Sequence, residues 1–244
     1  MKIKFLLLVL LTFATLTNSA CSKDEAIANS YFDNDSASQT VELLYMGQAS
    51  LRIVTESGKV IYIYPYAGSD AGYSLPADLI LITHEHFDHT AVARIKQRQP
   101  GCIVIRSRDA LVEGVHQTFE LEFIKVEAVE AGFNRYHNVD ECVGYVLTFN
   151  NGKKVYVSGD TSTTNQMREM LRMNIDYAFL CTDGVFNMGN EEAARVAEMI
   201  NARHTIPYHN STSNRGDMFD RDAAERFAAR NKMILLPGET IKIN

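Results

Sequence analysis

Six consecutive residues, His84-Glu85-His86-Phe87-Asp88-His89, constrain this chain more than any other stretch. They gather three of its seven histidines and an aspartate directly after the apolar run Leu79-Ile80-Leu81-Ile82. On an α-helix, His84 and His86 would point roughly 200° apart around the axis and could not converge. At the end of a strand, alternation puts the two on one side, and the following loop can fold Asp88 and His89 back towards them. Converging imidazoles and carboxylates suit a divalent transition metal. The plain alternative is a polar turn that happens to be His-rich, and nearly half of the histidines in one turn argues against it.

A metal centre needs more donors than one loop supplies, and they should come from other strand ends. Asp160 follows the strand-like Lys154-Val155-Tyr156-Val157-Ser158-Gly159, and His209 follows His204-Thr205-Ile206-Pro207-Tyr208. His137 lies in a polar turn before Val143-Gly144-Tyr145-Val146-Leu147. Strand ends are where ligands and catalytic groups emerge in layered α/β proteins. Alone, His137 reads as a surface turn residue, Asp160 as a cap and His209 as a strand-end histidine. Their order along the chain raises the odds for all three. His116 and His204 have no such company and stay outside the site.

The N-terminus reads as a targeting segment. Lys2 and Lys4 precede the apolar run from Phe5 to Leu11, which is too short to span a bilayer and ends at Ser19-Ala20-Cys21. Residues 1–20 are expected to be a signal peptide and Cys21 the lipidated first residue of an exported lipoprotein of the bacterial envelope. Ser22-Lys23-Asp24-Glu25 would then serve as an acidic export tag. An ordinary secretory peptide cleaved near Ala20 is the alternative. Residues 21–40 are polar, without apolar periodicity, and read as a tether.

Residues 41–244 suit one domain with a substantial core. Without residues 1–20, which carry Lys2 and Lys4 but no acid, 22 basic side chains face 30 acidic ones, a net charge of −8. Such a surface repels phosphate backbones, so no nucleic-acid partner is expected. The one basic cluster, Arg94, Lys96 and Arg98, falls on an expected helix and reads as a solvated face. Cys102, Cys142 and Cys181 have no CxxC spacing and imply no disulfide framework; Cys102 and Cys181 sit in apolar runs and should be buried.

Periodicity predicts strands at 41–46, 50–54, 59–65, 79–83, 102–107, 121–131, 143–149, 154–159, 177–180, 204–208 and 233–236. Helices are predicted at 89–99, 163–173, 190–202 and 220–231. Strands first, then strands mixed with helices and no repeat, fit one sandwich flanked by helices.

These motifs together resemble the metallo-β-lactamase-fold hydrolases. They are Thr83-His84-Glu85-His86-Phe87-Asp88-His89, His137, Ser158-Gly159-Asp160-Thr161 and Ile206-Pro207-Tyr208-His209. The resemblance runs from about Val41 to the C-terminus. It is closest to the small branch containing the ascorbate-phosphate lactonases, through Tyr45–Ser50, Asn187–Ala194 and Leu236-Pro237-Gly238-Glu239. It implies a mixed α/β, four-layer αββα sandwich with a dinuclear metal site. One departure stands out. That branch carries an Asp-Pro pair after the second strand, thought to orient the ligand loop, where this chain reads Ile63-Tyr64-Pro65-Tyr66.

By the same resemblance, His84, His86 and His137 would hold one metal, Asp88, His89 and His209 a second, and Asp160 would bridge them. Five imidazoles and two carboxylates suit zinc, with manganese, iron or nickel as other fits. Two ions about 3.5–4 Å apart would turn a shared water into a hydroxide near pH 7 and polarise the group under attack. The expected reaction is hydrolysis of an ester, lactone, amide or phosphodiester of a small molecule, with Asp88 as catalytic proton relay. Tyr208, Asn210, Tyr136, Asp183 and Asn187 are candidate substrate contacts. Two alternatives stay open: a diiron oxidoreductase on the same fold, and a metal-binding surface lipoprotein with weakened catalysis, which Tyr64 keeps in view.

Overall fold

A computed structural model describes residues 40–213, Gly216 and residues 218–244. The signal segment, Cys21 and the tether up to residue 39 lie outside the described residues. Two six-stranded sheets share one apolar interior.

The first sheet uses β1 (Val41–Gly47), β2 (Ser50–Val54), β3 (Val60–Ile63), β4 (Ala77–Leu81) and β5 (Arg98–Ile105). A small hairpin of β6 (Leu111–Val112) and β7 (Val115–His116) leads to the second sheet. That sheet uses β8 (Thr118–Leu121), β9 (Ile124–Glu130), β10 (Val143–Phe149), β11 (Lys154–Val157), β12 (Tyr177–Cys181) and β13 (His204–Tyr208). The chain returns to the first sheet with β14 (Thr240–Ile243) on the free side of β1. The strand orders are β14-β1-β2-β3-β4-β5 and β13-β12-β11-β10-β9-β8. In each sheet three consecutive strands run parallel: β3, β4 and β5 in one, β11, β12 and β13 in the other.

Alternation along the strands decides which side chain faces which layer. From β1, β3 and β4, Leu43, Tyr45, Ile61, Ile63, Leu79 and Leu81 enter the interior between the sheets. There they meet Val126, Tyr145, Leu147, Val157 and Phe179. The intervening Met46, Tyr62, Ile80 and Ile82 face outward into a second cluster with Tyr73 and Ile95. Both faces are covered, which is why β3 and β4 read as unbroken apolar runs. On the second sheet the helix Asn190–Ile200 buries Ala193, Val196, Ala197 and Ile200, one stripe at helical spacing, and ends at Asn201 in the left-handed conformation.

Several local expectations change. The helix predicted over 89–99 is replaced by 3-10 turns at Phe87–His89 and Val92–Arg94, after which Arg98 already opens β5. Arg94 is not on a solvated face. Its guanidinium donates to the carbonyls of Tyr66 and Gly68, pairs with Asp70 and lies over the Tyr73 ring, so it pins the loop that covers the first sheet. That outer layer is therefore built from turns instead of an α-helix. Pro100 is tolerated in β5 because that strand is an edge. The segment 163–173 is a 3-10 helix over Gln166–Met173, and 220–231 is helical only over Arg221–Arg226, capped by Asp220. The strand expected at 121–131 folds back at residues 122 and 123 into the β8–β9 hairpin. At 233–236 no strand forms; β14 lies further on. Cys102 is half-buried, while Cys142 and Cys181 are buried.

At one end of the sandwich the loops after β4, β9, β11, β12 and β13 come together with the β1–β2 turn. Backbone bonds tie them to each other: Val143 N–H to Thr83 O, Gly132 N–H to Asp160 O, and His209 N–H to Gln48 O. Gly159 permits the tightest of these approaches. Its φ is +68°, and a Cβ there would lie 2.6 Å from the Val143 carbonyl oxygen. Gly159→Ala is expected to cost about 1–3 kcal/mol of folding stability. Urea denaturation monitored by far-UV dichroism measures it, and an unchanged midpoint would mean the turn relaxes freely.

Candidate metal centre

The strand ends bring all seven expected donors to one point. His84 continues from β4 through Ile82 and Thr83, and its neighbour His86 lies 4.6 Å away between ring centroids. The next turn carries Asp88 and His89. Asp160 enters from β11 and His209 from β13, and His137 drops in from the loop after β9. Three groups of donor atoms each lie within 4.8 Å of one another: His84–His86–His137, His84–His89–Asp160 and Asp88–His89–His209.

Asp160 is the hub. Its Oδ2 is 3.3 Å from His137 Nε2, 3.4 Å from His209 Nε2 and 3.5 Å from His89 Nε2. Donors held ~2.0–2.1 Å from a tetrahedral zinc lie about 3.3 Å from each other, so this spacing fits side chains sharing ions. Burial adds a second test. Both ring nitrogens of His89, Nε2 of His84 and Oδ1 of Asp160 are buried without a hydrogen-bond partner. Buried polar atoms without partners are costly, and a cation among them satisfies the Nε2 and carboxylate lone pairs together. His86 is exposed and Asp88 half-buried, so the centre opens on that side.

The other ring nitrogens are held from behind. His84 Nδ1 lies 3.1 Å from Thr83 Oγ1, and His137 Nδ1 is 3.1 Å from Asn134 Oδ1. His209 Nδ1 faces Asp183 Oδ2 at 3.5 Å. Such contacts select the tautomer and aim the ring. The Gln48 amide donates to Asp88 Oδ2 at 2.6 Å and sits 3.2 Å from His209 Nε2. Gln48, Tyr64 and His209 all have positive φ (46°, 51° and 41°), unusual for residues with side chains. Tyr64 occupies the position where the sequence departs from the Asp-Pro pattern. Its ring lies edge-on to His89, centroids 4.9 Å apart, and its buried hydroxyl neighbours Thr83 and Tyr208. No carboxylate reaches His89 Nδ1 from there.

Charge separates His209 from His84 and His86. Burial, and then the charge of His89, pushes His84 well below an ordinary imidazole; burial and His137 lower His86. Burial would lower His209 too, but Asp160, Asp183 and Asp88 outweigh it and raise it. Burial alone would raise Asp160, yet the neighbouring His209 and His89 hold its carboxyl well below the usual range.

Of the five candidate substrate contacts, only Tyr136 lines the mouth. That cavity of about 380 Å³ also exposes Phe87, Phe186, Ser211 and Thr212 beside the donors. Tyr208 is buried in the sandwich, against Phe179 and Tyr64. Asn210 is turned away to bond the backbone of Asp220. Asp183 accepts from the amides of Val185, Phe186 and Asn187 and from the Asn187 side chain, and it faces His209 Nδ1 at 3.5 Å. Gln48 and Asn134 were not legible as site residues. Gln48 stood only in a segment of general resemblance, and Asn134 carried no signal beyond lying three residues before His137.

A family described as a β-lactamase superfamily domain matches residues 42–209. The chain belongs to that family. A UPF0173 metal-dependent hydrolase of Thermococcus onnurineus is 30% identical, over 70% of this chain and 85% of its own length. Another from Methanosphaera stadtmanae is 25% identical and covered over 98% of its length. Among solved structures, a candidate metal-dependent hydrolase of Parabacteroides distasonis is 28% identical, with a TM-score of 0.62 over 79% of this chain and 91% of that one. The metallohydrolase Igni18 of Ignicoccus hospitalis shares the fold at 20% identity and a TM-score of 0.64, over 84% of this chain and 99% of that one. Like these superfamily members, the chain is a metal-dependent hydrolase with the metallo-β-lactamase fold, and the His/Asp cluster is its candidate metal site.

A metal ion binding His209 must displace its proton, and the raised pKa keeps that proton on to a higher pH than in His84 or His86. As pH falls from about 7.5 through the ordinary imidazole value of about 6.5, protons should therefore compete for His209 before His84 or His86, and bound metal should fall. Equilibrium dialysis across this range measures it, and a metal content that does not change with pH would contradict the raised His209.

Proposed function

We propose that the seven donors hold two divalent ions, with zinc the best fit, and that the centre hydrolyses an ester, lactone, amide or phosphodiester of a small molecule. Asp160 Oδ2 carries this reading, because one oxygen stands within 3.5 Å of imidazoles from both trios. Held by these seven side chains, two such ions would lower the pKa of a water towards about 7 and would polarise the oxygen of the group under attack.

The chain's own residues do the rest. Asp160 neutralises part of the charge and keeps the trios in register. His84 and His137, each backed at Nδ1, and His209, whose Nδ1 faces Asp183 at 3.5 Å, hold their Nε2 atoms on the centre. The Gln48 amide fixes one oxygen of Asp88 while the carboxylate still lines the cavity. Asp88 therefore orients the attacking water and carries its proton to the leaving group. Tyr136, Phe87 and Phe186 narrow the mouth around the substrate.

His89 Nδ1, unpaired beside Tyr64, favours a second reading in which the centre binds metal but turns over slowly. A panel of esters, lactones, amides and phosphodiesters separates the two. The zinc-loaded domain is expected to hydrolyse at least one class, chelation to abolish the activity and Asp160→Ala to lower kcat/KM at least about 10³-fold. Equal activity in Asp160→Ala would remove the metal mechanism; inactivity on the whole panel with full zinc content would support the second reading. Stoichiometric iron with oxygen consumption would instead point to an oxidoreductase.

We also propose, from the sequence around Cys21, that the protein is exported and lipid-anchored in a bacterial envelope. Expressed at full length in a Gram-negative host, it should fractionate with membranes, and Cys21→Ser should release it. An unprocessed, soluble wild-type protein would refute the anchor.

A further inference from the structure

Exposed aromatic side chains are few here, and they are not scattered. Among the described residues four large aromatics are strongly exposed: Phe87 (66%), Phe133 (43%), Phe186 (41%) and Tyr136 (37%). Three of them, Phe87, Tyr136 and Phe186, line the one cavity that also contains His86, Asp88, Asp160 and His209. Tyr136 and Phe186 meet edge to face with ring centroids 5.1 Å apart, and Phe87 is backed in the same way by Tyr66 at 5.8 Å. The rings are thus propped towards the mouth by neighbours. Apolar surface held open to water beside a reactive centre is where an apolar part of a ligand gains most by binding.

Charge points the same way. No described lysine or arginine lines this cavity; its polar wall beyond the donors is Ser211 and Thr212. Arg135, next along the chain, lies over the Tyr136 ring and donates to its hydroxyl. On the other side of His86 and His137 a second cavity of about 400 Å³ is lined by Glu85, Asp140 and Glu141, with Arg108 its lone cation. Arg106 is already engaged in a fork with Glu85. A phosphate or carboxylate on a substrate is ordinarily recognised by arginine or lysine, and none of the described residues lining the cavity with the exposed rings is either.

We propose that the centre takes acyl compounds (esters, lactones or amides) bearing an aromatic or medium-length alkyl group. Phe87 and the Tyr136–Phe186 pair hold that group, while Ser211 and Thr212 face the polar end. This specifies the substrate of the hydrolase reading and rests on it. In the reaction, water adds to the carbonyl carbon, the bond to the alcohol or amine breaks, and the leaving atom takes up a proton. The products are a carboxylic acid and an alcohol or amine, joined in one molecule when the substrate is a lactone.

Two measurements on the zinc-loaded protein test this. In the first, kcat/KM for p-nitrophenyl acetate, butyrate and hexanoate is expected to climb at least about ten-fold along the series. The expected value for p-nitrophenyl phosphate lies below all three. Phe186→Ala and Phe87→Ala should each flatten the climb several-fold. In the second, binding of two ketones that cannot be hydrolysed, 2-butanone and 4-phenyl-2-butanone, is followed by saturation-transfer NMR. The phenyl ketone should bind at least about ten-fold tighter, and this preference should fall in both variants.

Ester hydrolysis with no dependence on chain length, or a phosphate ester as the best substrate, overturns the proposal and leaves the hydrolase reading standing. Preference for the phenyl ketone without cleavage of any ester would support the apolar pocket and count against the hydrolytic mechanism. Equal binding of the two ketones overturns the pocket.

Discussion

A carboxylate buried among imidazoles is stable only where positive charge reaches it, and Asp160 stands in that position. Three imidazole nitrogens lie within 3.5 Å of one of its oxygens, while its other oxygen has no partner. Removing an ion from water costs several kcal/mol unless it is paired. The surrounding histidines offset this cost unequally. His209, surrounded by three aspartates, is raised, whereas His84, buried beside other imidazoles, is lowered. Asp160 is therefore both the feature that most needs a cation and the one that joins the two trios.

Holding Asp160 in place is largely the work of the backbone. The loop after β11 is bonded through Gly132 to the loop after β9, and Gly159 comes so close to Val143 that no side chain fits between them. The β1–β2 turn supports the opposite side, where the Gln48 carbonyl accepts from the His209 amide and its side chain grips Asp88. Gln48, Tyr64 and His209 keep positive φ against their ordinary preference. Such strain persists where the surroundings overdetermine it. Here the rigid interior between two sheets does so, and donors mounted on strand ends keep their spacing better than donors on free loops would.

The two sides of the centre differ in character. Behind it lies a layer of buried hydroxyls from Thr83, Tyr64 and Tyr208, which aims rings and excludes charge. In front are exposed rings and two small hydroxyl side chains. Tyr64 belongs to the first group. It packs against His89 edge-on, so that imidazole is oriented by packing and by its neighbours in the donor set.

The donor set is legible in the amino-acid order because its chemistry is dense and regular. Three histidines and an aspartate follow an apolar strand, and Asp160 and His209 each close another. The sandwich is legible for the same reason, since period-two alternation and the apolar stripe of the helix Asn190–Ile200 are local properties. The turn at 87–94 is not, because Arg94 leaves the helical pattern to bond carbonyls some 26 and 28 residues away in sequence. Nor are the roles of Gln48, Asn134 and Asp183, which depend on contacts between distant loops. The sequence by itself determined which atoms could bind a cation and which strands would carry them. Only the tertiary structure decided which polar residues back the donors and which rings line the cavity beside them, because strand alternation and loop docking, not residue type, determine where a side chain points.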